Sequence, residues 1–290
     1  METILVRYSE IGLKSDPVRR RFEGMLKRNI MDMLAKDSVE ARVSIANSRL
    51  YVETDDARAA TASLKRVFGI SSVSVATICG ASMEEMKRAA SRISQDLLIH
   101  GDTFAVDARR DSGAYPFTSM DIKREVGSAI LEANSSKGVK VDLSDPDKTV
   151  FIEVRSNKAY IFTSYVACHA GLPLGSQGSV LAYVDDNRSL VSAWLMMKRG
   201  CKVVVCGDYG LQVLGRYDPH LKTLGKDDEV PDRILGFVRG CSLDQLEGIG
   251  ESRLPVFVPT IGMSSGTISG ILSQMESGDA QAIDVVYHRV

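Results

Sequence analysis

Residues 180–206 read VLAYVDDNRSLVSAWLMMKRGCKVVVC, a helical stretch enclosed between two short apolar runs. The runs Val180–Val184 and Val203–Cys206 are apolar on both faces, as the strands of a buried parallel sheet are. Residues 189–199 between them have the length and apolar content of a crossover helix. The sequence therefore predicts an α/β domain, which continues with a helix at about 231–239, a strand at 255–258, a helix at 264–276 and a strand at 282–287.

The segment upstream of this domain, residues 4–77, predicts the order strand, helix, strand, strand, helix, strand. Ile4–Tyr8 forms the first strand, and Pro17 suits the first turn of the helix that follows, with Ser15 or Asp16 as its cap. The helix has an apolar stripe at a spacing of three to four residues, made of Val18, Phe22, Met25, Leu26, Ile30, Met33 and Leu34. A hairpin around Asn47-Ser48, a helix at about 56–67 and a strand at 70–77 complete a ferredoxin-like order.

The middle of the chain predicts a second α+β segment. Ser82 and Glu85 form a capping-box pair at the start of a helix. A strand at Thr103–Arg109 and a helix capped by Ser119 come next, and two strands at 150–155 and 158–164 follow. The run Gly171-Leu-Pro-Leu-Gly-Ser-Gln-Gly178 then marks a boundary, because glycine and proline interrupt regular structure. We predict three domains, at 1–75, 76–168 and 169–290.

The composition is that of a globular protein. The 290 residues are 44% hydrophobic and 25% charged, which excludes fibrous and wholly disordered classes. The apolar runs are far shorter than the ~20 residues of a membrane helix, and the start of the chain does not resemble a signal peptide. The five cysteines are widely spread, which is typical of a reducing compartment. The sequence predicts a cytoplasmic protein without a membrane segment.

The net charge of −1 conceals an uneven distribution along the chain. Residues 1–70 carry a net charge of +3, residues 71–170 carry −1 and residues 171–290 carry −3. A protein that is basic throughout is therefore excluded, whereas a basic surface confined to the N-terminal part is not.

Several short motifs, taken together, resemble the tRNA 4-thiouridine synthetases, which are also called thiamine-pathway tRNA sulfurtransferases. The similar stretches occur in the family's order: Val6-Arg-Tyr-Ser-Glu-Ile-Gly-Leu-Lys14, Val67-Phe-Gly-Ile70, Arg109-Arg110, Tyr115-Pro-Phe-Thr-Ser119, Val141-Asp-Leu-Ser-Asp-Pro146, Gly171-Leu-Pro-Leu-Gly175, Ser192–Gly200 and Pro255–Met263. The resemblance implies an N-terminal ferredoxin-like domain, a THUMP domain and a C-terminal parallel-sheet domain of the PP-loop ATP-pyrophosphatase kind. It also implies tRNA as a partner, held by its acceptor end.

The chain departs from the family at the loop that should hold ATP. The family pattern Ser-Gly-Gly-x-Asp-Ser is expected after the strand at 180–184, but Asp185-Asp186-Asn187-Arg188-Ser189 stands there, one residue shorter and without glycine. A phosphate cradle needs inward backbone N–H groups and the close approach that glycine permits. Two carboxylates at a helix start would instead cap the helix and repel phosphate.

Two interpretations of this loop stay open. In the first, Asp185 and Asp186 cap a helix at a degenerate site, and the protein needs no cofactor. In the second, the two carboxylates hold Mg²⁺ together with ATP in a rebuilt loop. The four histidines have no metal-site spacing, so no protein-bound metal is expected, and no catalytic residue can be named. Cys168-His169 is weak as a nucleophile–base pair, since neighbours in a strand point to opposite faces.

The N-terminal two thirds of the chain carries candidate RNA-binding residues: Lys14, Arg19, Arg20, Arg109, Arg110, Phe117 and Lys123. Cations that bind phosphate beside a ring that stacks on a base are what single-stranded RNA ends require. The alternative is that the arginines of the first helix form a solvated face and that Phe117 belongs to the core. Because Arg109 and Arg110 are neighbours in a strand, only one of them should face a given ligand.

Three functions are compatible with these features. The first is a tRNA-binding protein of tRNA modification that has lost adenylation. The second is an active, ATP-dependent tRNA uridine thiolation enzyme. The third is an interaction scaffold with the C-terminal domain as its partner surface. A sulfur-transfer or modification protein and a second copy of the chain are further candidate partners.

Overall fold

The computed structural model describes residues 1–46, 49–111, 113, 115–225 and 227–280. The chain divides into two compact units. The first combines Met1–Leu5 with Ser74–Tyr165, and the second combines Val6–Val73 with the described residues from 166 onward. The predicted turn at Asn47-Ser48 and the predicted strand at 282–287 lie outside the described residues.

The first five elements and the strand that follows them have the predicted ferredoxin-like sequence. They are β1 (Glu2–Arg7), α1 (Asp16–Lys36), β2 (Ala41–Ala46), β3 (Arg49–Thr54), α2 (Ala57–Leu64) and β4 (Ser72–Gly80). The strand order is β2-β3-β1-β4, and β2 and β3 are antiparallel, with Val43 opposite Val52. Helix α1 buries Phe22, Leu26 and Ile30 on one stripe, which confirms the predicted periodicity from Phe22 onward. Val18, the first member of the predicted stripe, is exposed.

The first unit is an α+β layer built on a four-strand sheet with a short edge strand. Its further elements are α3 (Met83–Leu97), β5 (Thr103–Arg110), α4 (Ser119–Ala133), β6 (Lys140–Val141), β7 (Lys148–Arg155) and β8 (Lys158–Phe162). The strand order is β4-β8-β7-β5-β6, in which β5 and β7 are parallel and β8 is antiparallel to both of its neighbours. Helices α3 and α4 pack their apolar faces over this sheet around Phe104, Val126 and Val150. Thr118, and not the predicted Ser119, caps α4, through a capping box with Asp121.

The C-terminal part of the second unit is a parallel sheet. After β9 (Val166–Ala167), which pairs with β4, it contains β10 (Ser179–Tyr183), α5 (Asn187–Lys198), β11 (Lys202–Cys206), α6 (Leu211–Gly215), β12 (Lys222–Leu224), β13 (Ile234–Val238), β14 (Val256–Phe257) and α7 (Ser265–Ser277). All neighbouring strands are parallel in the order β12-β11-β10-β13-β14. The predicted α/β class is thus confirmed, with β10 at the centre.

The predicted helix at about 231–239 is wrong, because Ile234–Val238 forms strand β13. Burial alternates along it, with Ile234, Gly236 and Val238 inside, which is the period of a strand. A β-carbon on Gly236 would lie 2.6 Å from the ring of Phe257, so glycine here lets the neighbouring strand place its aromatic side chain. Leu235, which lies between Ile234 and Gly236, is more than half exposed, as expected for the outward face of a strand.

One apolar cluster in the second unit is shared by its two chain segments. Phe68 comes from the ferredoxin-like segment and joins residues of β10, α5 and α7 in a single buried cluster. Its ring lies 5.4 Å from the rings of both Trp194 and Tyr217, and His169 packs at 5.2 Å from Trp194. Helix α1 is tied to the same region, since the amide of Asn29 donates to the carbonyl of Leu174.

In the part of the chain that the structure describes, the helices are all too short or too polar to cross a bilayer.

Candidate nucleic-acid surface and nucleotide loop

The loop that the sequence singles out lies at the carboxyl end of the central strand β10. From β10 the chain crosses through α5 to β11 on one side, whereas β13 lies on the other side. In open α/β sheets, ligands bind in the crevice at such a reversal of strand order. Asp185 and Asp186 leave the strand at this point, and Asp186 is the N-cap of α5.

The polar groups of this loop are hydrogen-bonded to one another. The buried hydroxyl of Ser189 accepts from the backbone N–H groups of Asp185 and Asp186, each at 3.0 Å. It donates to the carboxylate of Asp186 at 2.8 Å, and the N–H of Ser189 donates to the same carboxylate at 2.7 Å. The result is a closed capping box in which donors at the start of α5 already have partners.

The two remaining loop side chains are also held within the protein. The Arg188 guanidinium donates to the carbonyls of Thr260 and Met263, at 2.8 and 3.1 Å. Asn187 accepts from the hydroxyl of Tyr209. Arg188 therefore points to the loop after β14 and fastens that loop to the start of α5.

A second loop lies directly on this helix start. A β-carbon on Gly240 would be 2.2 Å from the Ser189 nitrogen and 2.4 Å from its α-carbon, so the two backbones are in close contact. Gly240 follows β13, whose end is adjacent to that of β10 in the sheet. The backbone of residues 239–241 thus covers the first turn of α5, where a phosphate would have to approach.

The residues present do not fit an ATP phosphate cradle. The N–H groups of residues 185, 186 and 189 donate within the loop, and the space above Ser189 contains Gly240. Among the described residues, no group of three or more histidine, cysteine or acidic side chains is arranged to hold a metal ion.

An unpredicted cation–aromatic contact lies at the same edge of the sheet. The Arg239 guanidinium carbon is 3.8 Å from the centre of the Tyr183 ring, which is within stacking distance. Tyr183 also packs near Phe237, with ring centres 6.0 Å apart. The sequence interpretation missed this contact, because residues 231–239 were taken as a helix and could not be placed beside β10.

The start of α1 presents cations that have no partner among the described residues of the protein. Arg20 and Arg21 are exposed and, within the described residues, make no ion pair or hydrogen bond through their side chains; the same is true of Lys14. Arg19 differs, because its guanidinium pairs with Asp16 at 2.6 Å. The Ser15 side chain makes no cap hydrogen bond, so this helix start lacks the closure seen at α5.

In the first unit, one carboxylate joins two of the predicted cations. Asp107 lies 2.8 Å from the Lys123 ammonium through one oxygen and 3.8 Å from the Arg109 guanidinium through the other. All three side chains keep partial exposure, between 33% and 51%. Asp107 was not among the predicted residues, although its position two residues before Arg109 in a strand places it on the same face.

Arg110 belongs to a different group from Arg109, as the alternation of a strand requires. Its guanidinium lies 5.9 Å from the Tyr115 ring, and that ring stacks on Phe117 with centres 5.8 Å apart. Both rings are half-buried and pack against the unit's core, so Phe117 has one side in the protein interior. The Tyr115 hydroxyl donates to Asp111 at 2.7 Å, and this hydrogen bond is the largest cause of the lowered pKa of Asp111.

The buried side chains of Cys168 and His169, which follow β9, are uncharged near neutral pH. Burial raises the pKa of Cys168 to about 12 and lowers the pKa of His169 to about 4. The thiol contacts the carbonyl of Val166, whereas the imidazole lies 3.4 Å from the Tyr217 hydroxyl. A protonated thiol that does not contact the imidazole lacks the features of an activated nucleophile.

Comparison with known proteins places these regions in families. A model described as the ThiI ferredoxin-like domain matches residues 3–74, and the THUMP domain model matches residues 80–164. A relative from Methanocaldococcus jannaschii named "Probable tRNA sulfurtransferase" is 40% identical over 210 residues, which are 70% of this chain and 54% of that protein. One from Methanosarcina acetivorans with the same name is 39% identical over 69% of this chain and 49% of that protein.

The chain belongs to the tRNA sulfurtransferase family.

Solved structures share the fold of this chain. The crystal structure of PH1313 from Pyrococcus horikoshii has a TM-score of 0.80 at 29% identity, covering 95% of this chain and all of that one. A 4-thiouridine synthetase in complex with RNA and ATP has a TM-score of 0.76 at 24% identity and covers 96% of this chain and 86% of that one, which supports the fold. The chain spans about half the length of the curated tRNA sulfurtransferases that it matches.

The predicted residues of this tRNA sulfurtransferase family member fall into three groups. Lys14, Arg19 and Arg20 lie in the ferredoxin-like match, and Arg109, Arg110, Phe117 and Lys123 lie in the THUMP match. Residues 185–189 lie in the parallel-sheet domain, at the start of α5. The structure adds three residues to these groups. Asp107 contacts Lys123, Gly240 contacts Ser189, and Arg239 contacts Tyr183.

Proposed function

We propose that this protein binds tRNA by its acceptor end through the ferredoxin-like and THUMP domains, and that it acts in tRNA modification without an adenylation activity of its own. The proposal takes the domains as 1–75, 76–168 and 169–290 and the cytoplasm as the place of action. No bound cofactor is required. A modification protein that supplies the chemistry, or a second copy of the chain, would be its partner.

The observation that carries the loss of adenylation is the closed start of α5. The N–H groups of Asp185, Asp186 and Ser189 are bound by the Ser189 hydroxyl and the Asp186 carboxylate, and Gly240 lies against the turn. A phosphate would have to break several of these hydrogen bonds and displace the backbone of a neighbouring loop. It would also meet two exposed carboxylates, which repel it.

Support for RNA binding comes from cations that no internal acid neutralises. Lys14, Arg20 and Arg21 are exposed at the start of α1, and cations near a helix start oppose the helix dipole. An external phosphate explains their position better than helix stability does. In the THUMP domain, Arg110 beside the Tyr115–Phe117 pair offers a cation next to aromatic rings, the combination that suits an unpaired RNA end.

The first experiment is a titration of the protein with fluorescently labelled tRNA at 50 and 200 mM salt. Phosphate contacts release counterions, so affinity should fall by a factor of ten or more between the two salt concentrations if about two or more phosphates are contacted. No binding, or binding that ignores salt, contradicts the RNA proposal and favours the scaffold.

The second experiment measures pyrophosphate release from Mg-ATP by the pure protein with tRNA. We expect release no faster than in a reaction without protein. Robust tRNA-dependent release contradicts the loss of adenylation and favours the thiolation enzyme with a rebuilt loop.

A further inference from the structure

A basic cavity lies at the end of the parallel sheet opposite the nucleotide loop. It has a volume of about 210 Å³. The polar side chains around it are Ser179, Lys202, Asp218, His220, Lys222 and Arg233.

The strand starts bring these side chains together. Ser179 and Lys202 are the first residues of β10 and β11 and are register partners, so they stand side by side at this edge. Lys222 is the first residue of β12, and Arg233 directly precedes β13. Because all these strands are parallel, their amino ends lie at the same end of the sheet. The loop with Asp185 lies at the opposite end, where the carboxyl ends of the strands are.

The charges of the cavity are only partly neutralised. Asp218 is its one carboxylate and is almost fully buried. The Lys202 ammonium donates to both carboxylate oxygens of Asp218, at 3.2 and 3.3 Å. The backbone N–H of His220 donates to the same carboxylate at 2.9 Å. The His220 imidazole in turn lies 3.4 Å from Asp32 of α1. Asp218 is thus fully engaged by Lys202 and His220.

Lys222 and Arg233 have no acidic partner among the described residues. Both are exposed, and the residues that the structure describes give neither side chain an ion pair or a hydrogen bond. Residues 171–290 carry a net charge of −3, so the local positive charge of these two cations is opposite in sign to the net charge of their domain. The cavity therefore has two uncompensated positive charges.

We propose that this cavity binds a phosphoryl group. Arginine offers a planar fork of donors and lysine a compact charge, which together suit phosphate oxygens. At about 210 Å³ the space is below the range of about 300–1,000 Å³ typical of sites for whole drug-sized ligands, so it suits a phosphoryl group better than an entire nucleotide. Ser179 also lines the cavity and brings a hydroxyl, which is a neutral donor.

The phosphoryl group has two possible sources, an RNA backbone or a small phosphate compound. Binding of inorganic phosphate, measured by calorimetry at low salt, tests the cavity without reference to RNA. The test variant is Lys222→Ala with Arg233→Ala. The matched control is Arg58→Ala with Arg253→Ala, which removes two exposed cations elsewhere in the same unit. We expect the test variant to bind phosphate at least tenfold more weakly and the control to bind like the wild type.

A titration with tRNA identifies the source. If the source is RNA, the test variant binds tRNA more weakly, and the slope of log affinity against log salt becomes shallower by about 0.7–0.9, since the contact with one phosphate is lost. If the source is a small compound, tRNA affinity is unchanged while phosphate affinity falls. Equal phosphate affinity in the wild type and the test variant, or no phosphate binding by the wild type, overturns the proposal.

The phosphate measurement is independent of the proposed function. Phosphate binding can hold while tRNA binding fails, and tRNA binding through α1 and the THUMP domain can hold while the cavity proves empty.

Discussion

The starts of α1 and α5 differ in how they treat their free backbone donors. At α5, Asp186 and Ser189 form a closed capping box, and Gly240 of another loop lies on top. At α1, Ser15 makes no side-chain cap bond, and Arg20 and Arg21 extend into solvent. The two helices belong to the same unit, so the contrast is local in origin.

This contrast shows that a helix start is available to an anion only when the protein leaves it open. The N-termini of both helices carry the positive end of the helix dipole. At α5 a carboxylate of the protein stabilises this charge, whereas at α1 nearby cations oppose it. At the loop where the family resemblance places a nucleotide, the start of α5 carries a capping box, whereas the uncapped start of α1 lies in the ferredoxin-like domain. Three changes test the contrast, beginning with the buried core that α5 shares with Phe68 of the ferredoxin-like segment.

The largest expected effect comes from acid, through His169 in the shared core. Burial lowers the pKa of this imidazole to about 4 from an ordinary value of 6.5. The unfolded chain therefore binds a proton at a higher pH than the folded protein does, and stability falls as the pH drops from about 6.5 to about 4. The loss should approach roughly 3 kcal/mol, because each unit of pKa difference corresponds to about 1.4 kcal/mol.

Urea unfolding at pH 7 and at pH 4.5 measures this loss, with His169→Gln as the control that cannot titrate. The wild type should lose about 2–3 kcal/mol more than the control over this range. Hydrogen exchange should accelerate at the starts of α1 and α5 together. Equal losses in the two proteins would show that His169 does not set the acid stability.

The next effect tests the open start of α1. Reversing two cations by Arg20→Glu with Arg21→Glu should weaken tRNA binding by about 30-fold at 0.1 M salt, since each lost phosphate contact costs somewhat less than a factor of ten there. Anisotropy titration measures the affinity. The reversal Arg58→Glu with Arg253→Glu changes the net charge equally and should cost far less. If both reversals weaken binding alike, the net charge of the protein matters and the start of α1 does not.

The smallest effect tests the closed start of α5. Ser189→Ala removes the hydroxyl that accepts from two backbone N–H groups and should lower the free energy of unfolding by about 1–2 kcal/mol. Ser269→Ala, on the exposed face of α7, is the control and should change stability by less than about 0.5 kcal/mol. ATP binding should stay absent in both, because Gly240 still covers the turn. A Ser189→Ala protein that binds ATP would mean that the capping box alone closes the site.

The sequence alone predicted the parts of the fold that have a strong local period. The stripe of α1 and the apolar runs of β10 and β11 depend on neighbours a few residues away, so they can be recognised without the rest of the chain. Strand β13 could not be recognised in this way, because the need for glycine at position 236 arises from contact with the Phe257 ring of the neighbouring strand. The capping of Thr118 differed from the prediction by one residue, which is the usual uncertainty of a helix boundary.

The candidate sites divide in the same way. That Asp186 would cap α5 follows from a carboxylate placed just before a helix, and the sequence predicted it. The cover by Gly240 joins segments far apart in the chain. The cavity around Lys222 and Arg233 depends on β12 and β13, one in a stretch with no predicted structure and the other within a region predicted as a helix.

The position of Phe68 has a consequence for the order in which the chain folds during synthesis. Phe68 leaves the ribosome long before Trp194 and Tyr217, the two rings on which it packs. Between them lies the nearly continuous segment 74–165 that makes up most of the first unit and has its own core. We therefore expect the middle of this protein to fold first, while the core around Phe68 in the ferredoxin-like segment stays incomplete until residues 194 and 217 have been synthesised.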